Sequence, residues 1–106
     1  MVSDDELAGV KPEIAMYIRR IGDVRDAGKF GRAVQLCDMA MKHEPEPAMR
    51  NVILNFKADS LYRVGWKVQS PEMMQEARSY YIEVLGNDPG DHVAKKGLQE
   101  IDFGAY

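Results

Sequence analysis

Residues 28–45 read GKFGRAVQLCDMAMKHEP. Gly28 stands two places before the aromatic Phe30 and five before Ala33; Ala40 follows Ala33 by seven, and Pro45 follows Ala40 by five. Phe30, Ala33, Val34, Cys37, Ala40 and Met41 fall at the three- and four-residue steps that gather side chains on one face of an α-helix. The segment is therefore expected to be an amphipathic helix over 30–43. Glu44-Pro45-Glu46-Pro47 stops it, because a residue before proline avoids the helical region. Further on, Ala77, Val84 and Pro89 reproduce the seven-then-five spacing, with Tyr81 four places after Ala77. A unit that recurs favours helical hairpins stacked side by side, the alternative being an irregular helical bundle.

Working outward from this stretch, the same helical period appears four more times. A helix over about 12–27 opens on Pro12, carries Ile14, Tyr17, Ile18, Ile21 and Val24 on one stripe, and stops at Gly28. A third, over about 47–64, shows apolar residues from Met49 to Tyr62 on so wide an arc that two neighbours must cover it. A fourth, over about 71–85, has Ser70 as cap, Pro71 in the first turn and Glu72 against the helix dipole. A fifth, over about 91–102, follows the Asp88-Pro89-Gly90 turn and carries Val93, Ala94, Gly97, Leu98 and Ile101 on its apolar side. Gly65 to Pro71 reads as an inserted loop, and Ser3-Asp4-Asp5-Glu6 matches a capping box that would start one brief extra turn. No stretch alternates as a strand does, so the expectation is an all-α chain forming one domain over 1–106 with antiparallel neighbours.

The second and fourth helices resemble the second helix of a tetratricopeptide repeat, in which small residues let paired helices approach, an aromatic fills the gap and proline ends the unit. Ala33, Ala40 and Pro45, then Ala77, Tyr81, Val84 and Pro89, carry that resemblance. It implies about two repeats and a terminal capping helix, stacked as a short superhelix. Ala33 and Ala77 stand 44 residues apart, whereas the family period is about 34; the loop from Gly65 takes up most of the excess. Cys37 replaces a usual aromatic, and the first helices of the two pairs match the family pattern only in part.

Composition narrows the function. The 106 residues carry 14 Lys+Arg against 17 Asp+Glu, for a net charge of −3. A protein that grips several phosphates clusters its basic residues, so nucleic acid and anionic membranes are not the expected partners. No apolar run approaches the ~20 residues that a membrane helix needs. The acidic start lacks the basic and apolar regions of a signal peptide, so a cytoplasmic location is expected. Cys37, the one cysteine, excludes an internal disulfide and lies on an apolar stripe, where it is expected to be inert.

No catalytic, cofactor or metal motif emerges. His43 and His92 have no second ligand at helical spacing, and Asp102-Phe103-Gly104 lacks every companion motif of a kinase. The expected role is a non-enzymatic interaction module: an adaptor, assembly factor or chaperone that binds a protein or peptide. A self-associating structural subunit is the alternative. The resemblance implies a concave groove built from the first helix of each pair. Its positions here are Ile18, Gly22, Arg25 and Asp26, then Asn55, Asp59, Tyr62 and Arg63. Ile18 with Gly22 breaks the basic cluster that carboxylate-binding members use. Trp66, in the inserted loop, is either folded over the third helix or an exposed anchor. Of these, Ile18, Arg25, Asn55, Asp59, Tyr62, Arg63 and Trp66 are the candidate partner-binding residues; Arg25, Asn55, Tyr62 and Arg63 are expected to lie largely exposed on one concave surface, the alternative being that Tyr62 packs on the fifth helix.

Overall fold

Each helix begins and ends where local chemistry dictates. A computed structural model of the chain describes residues 7–104, so the Ser3–Glu6 capping box lies outside the described residues. Five helices follow in order: α1 Pro12–Asp26, α2 Phe30–Met41, α3 Pro47–Val68, α4 Pro71–Asn87 and α5 His92–Asp102. No strand occurs among the described residues. Proline opens α1, α3 and α4, where its missing N–H is no loss. The Ser70 hydroxyl accepts from Met73 N and the Asp91 carboxylate from Ala94 N, capping α4 and α5. Gly28, at φ 76°, lets the chain turn back so that Lys29 N reaches Val24 O at 2.8 Å.

One expectation fails at the end of α3. Gly65 does not stop the helix, which continues through Trp66, Lys67 and Val68, so most of the inserted loop is helical. Gly65 serves packing instead: a Cβ there would lie 3.0 Å from Met73 Cβ and 3.3 Å from Ser70 O. The helix ends at Gln69, in the left-handed region at φ 57°, with Ser70 N bonded to Gly65 O at 2.8 Å. That pairing is a Schellman ending with glutamine where glycine is usual.

The helices pack as sequential neighbours, α1 on α2, α2 on α3, α3 on α4 and α4 on α5, with further contacts of α3 with α1 and α5. Asn55 bonds Asp91 at the start of α5, and Tyr62 bonds Glu100 near its end. α3 and α5 therefore run parallel, with α4 antiparallel between them. The small residues sit where helices meet: Ala33, Ala40, Ala58, Ala77 and Ala94 are all fully buried. Around them lie two apolar clusters, one gathering Ile14, Ile18, Ile21, Leu36 and Ile53, the other Leu54, Leu61, Tyr81 and Val84. α3 contributes to both, which accounts for its wide apolar arc. Between α2, α3 and α4, Lys57 Nζ donates to Tyr80 Oη at 2.8 Å and pairs with Asp38 at 2.7 Å. Burial works against its charge, yet these two partners hold its pKa above the ordinary value.

Candidate interaction groove

The parallel course of alternate helices leaves a channel between them. Arg25 reaches into it from α1, and Asn55, Phe56, Asp59 and Arg63 from successive turns of α3. α5 closes the other side with Asp91, Val93, Lys96 and Glu100, and Tyr81 of α4 forms part of the floor. The volume is about 590 Å³, within the range of sites that hold a small ligand or a short run of peptide.

Two charge arrangements occupy its walls. Asp59 Oδ2 accepts from Arg63 Nε at 3.0 Å and also from an Nη of Arg25, so one carboxylate serves two guanidinium groups. The same guanidiniums stack on rings, Arg25 over Phe56 and Arg63 over Phe30, each 5.0 Å from the ring centroid. Such stacking fixes the planar groups and is worth about 0.5–1 kcal/mol at partly exposed sites. One turn back along α3, Asn55 Nδ2 donates to the Asp91 carboxylate at 3.2 and 3.4 Å. Among the described residues Arg25 Nε and Asn55 Oδ1 are buried without a hydrogen-bond partner. Buried polar atoms are nearly always satisfied in folded proteins, and of the three such orphans among the described residues, the third being Ser60 Oγ, two belong to residues that line the groove.

The seven sequence-derived candidates divide. Arg25, Asn55, Asp59 and Arg63 line the groove. Ile18 does not: it lies between Ile14 and Ile21 on the buried stripe of α1, within the first apolar cluster. Tyr62, expected to be exposed, is 3% exposed. It shares the face of Leu54, Ala58 and Leu61, packs toward α5, and donates from its hydroxyl to Glu100 O at 3.3 Å. Burial first, and the Glu100 charge second, raise its phenol pKa. Asn55 lines the groove yet is only 7% exposed, so it too departs from the expectation of a largely exposed side chain. Trp66 is 43% exposed at the end of α3, with its ring 6.4 Å from that of Tyr62.

Of the two further groove positions, Gly22 is half-buried and Asp26 exposed, and neither lines the channel. The sequence reading missed the α5 wall altogether. Treating the fifth helix as a terminal cap hid Val93, Lys96 and Glu100, although Val93 is 59% exposed, unusual for a valine at an apolar position.

Elsewhere, Cys37 is fully buried, and burial with the nearby Asp38 charge pushes its thiol up to about 12. Such a thiol is protonated at neutral pH and a poor nucleophile. His43 and His92 are exposed. Among the described residues no three His, Cys, Asp or Glu side chains gather as a metal set, and no helix is long and apolar enough to cross a membrane. No protein-family model, curated protein or solved structure matches the chain.

Proposed function

We propose that the chain is a non-catalytic interaction module that receives a segment of another protein in the channel between α1, α3 and α5. The observation that carries this reading is the channel itself: a concave space of about 590 Å³ walled by three alternate helices, with apolar Val52, Phe56 and Val93 set among charges of both signs. Interfaces combine an apolar centre with a polar rim in this way, and arginines held by stacking are frequent anchors. The sequence resemblance to tetratricopeptide repeats supports the same reading, since the first helices of each pair line the binding surface in that family.

A photo-crosslinking side chain placed at Val93 tests the proposal, with one at exposed Ile82, which does not line the channel, as control. The expected result is capture of one recurring peptide segment from Val93 and not from Ile82. With that segment as a synthetic peptide, Arg63→Ala and Val93→Ala should each weaken binding by about 1–2 kcal/mol with helicity unchanged. Equal capture at both positions, or full-strength binding by the double variant, excludes the channel.

Self-association is the second reading, favoured by large apolar side chains outside the channel. Val68 is 58% and Phe103 81% exposed, beside the half-exposed Trp66 and Ile82. Stacked helical units commonly need three or more repeats to cover their faces. Light scattering over a concentration series decides it: a mass that stays at 12.0 kDa throughout removes this reading.

A further inference from the structure

We propose that Asn55 and Asp91 form a cation subsite within the channel, which holds a lysine or arginine side chain of the bound segment. This rests on the reading that the channel receives a partner segment, and it adds what that segment must carry.

The geometry points to a cation in three steps. Asn55 Nδ2 faces the Asp91 carboxylate at 3.2 and 3.4 Å. A carboxylate only accepts, so the amide orientation is settled and Oδ1 turns away from Asp91. That Oδ1 is buried without a donor on a side chain that is 7% exposed. Asp91, in turn, spends Oδ1 on the α5 cap, accepting from Ala94 N at 2.9 Å, while Oδ2 meets only the long 3.4 Å contact from Asn55. Among the described residues no cation pairs with Asp91. Asp59, one turn along α3, makes the contrast, for it holds two guanidiniums.

One level of the channel thus offers a carboxylate without a counter-ion beside an amide oxygen without a donor. Both are acceptors. A neutral donor would leave the Asp91 charge unbalanced and an anion would be repelled, whereas an ammonium or a guanidinium brings a positive charge together with three or five donors. The amide torsion of asparagine is soft, so a cation that takes over the Asp91 carboxylate from Nδ2, whose contacts there are long, lets the amide turn Oδ1 toward the same donors. Val52 and Val93 line the channel at the same level and suit the aliphatic stem of a long basic side chain. Three groups act against a cation: the positive end of α5, Lys96 further along it, and His92 beside Asp91. The helix end amounts to about half a charge against the full charge of Asp91, and Glu100 one turn beyond Lys96 offsets that lysine.

The test uses the full chain and pools of N-acetylated, C-amidated nonapeptides, random except for a fixed central lysine, arginine, norleucine or glutamate, read by fluorescence anisotropy. Lysine and arginine pools should bind roughly fivefold to tenfold tighter than norleucine and glutamate pools. Asp91→Asn keeps a capping side chain and removes the charge, and it should erase that preference with the melting temperature held. Asp91→Ser, another good cap, serves should the asparagine variant not fold. An undiminished preference in these variants, or glutamate pools that bind as well as lysine pools, overturns the subsite. Binding of all pools without preference removes the subsite but leaves the channel as a peptide site, whereas no binding by any pool removes both. The same pools left unacetylated serve as a control, and binding seen only with them assigns the cation to a terminal ammonium and overturns the proposal.

Discussion

Gly97 is the residue at which packing most plainly overrides propensity. A Cβ there would lie 2.2 Å from Tyr81 Cζ and 2.4 Å from Cε2, because the tyrosine ring lies flat on the bare backbone of α5. Within a helix, alanine is usually better than glycine by about 0.5–1 kcal/mol. Here the overpacking should outweigh that gain, and Gly97→Ala is predicted to lose about 1–3 kcal/mol, read as a lower urea midpoint. A raised midpoint would show that the ring yields and that the contact is not tight. Nothing in the sequence reveals this role, because the partner ring reaches Gly97 only once α4 and α5 have packed. Tyr62 went astray for a related reason. Periodicity places a side chain on a face, but which of two faces a neighbour covers depends on tertiary contacts, and Tyr62 fell under α5.

Among the elements, the helices were legible wherever capping chemistry is local. Pro12, Pro47 and Pro71 mark three starts, Ser70 and Asp91 cap two, and the structure begins the helices within a residue of where those signals put them. The end of α3 was not legible, because glycine has two uses and Gly65 serves the one that sequence punctuation does not report. The actual stop, Gln69, adopts a left-handed conformation that costs a residue with a Cβ about 1–2 kcal/mol. Gln69→Gly removes that strain at the price of a freer unfolded chain and an exposed Gln69 Nε2 to Trp66 O bond of 2.8 Å. A net gain of about 0.5–1 kcal/mol is expected, measured as a raised melting temperature. A fall would mean that the side-chain bond, not the backbone turn, terminates α3.

At the scale of the whole molecule, the described chain has a radius of gyration of 13.1 Å, as a single compact domain of about 100 residues should. Its titration behaviour follows from burial at Cys37 and Tyr62 and, at Lys57, from Asp38 and Tyr80, whose contacts outweigh burial. Cys37, Tyr62 and Lys57 all have pKa values raised in the folded state. The folded chain then holds more protons than the unfolded chain at alkaline pH, so stability is retained below the unfolded pKa values and lost as pH rises through them. For Cys37 the window runs from about 9 to about 12, at about 1.4 kcal/mol per pH unit. The urea midpoint should therefore fall between about pH 8 and pH 10.5, and less steeply in Cys37→Ala, which lacks the thiol; equal slopes would remove Cys37 as a cause. The groove was half legible at this scale. Arg25, Asn55, Asp59 and Arg63 were indicated by the repeat resemblance, but Val93, Lys96 and Glu100 require knowing that α5 runs parallel to α3. The end of α3 has one more consequence, an optical one. Trp66 is the only tryptophan, half-exposed, stacked near Tyr62 and one turn from Arg63. The chain therefore carries a single tryptophan one turn beyond the channel residue Arg63, and its emission wavelength reports on changes at that end of α3 without any label.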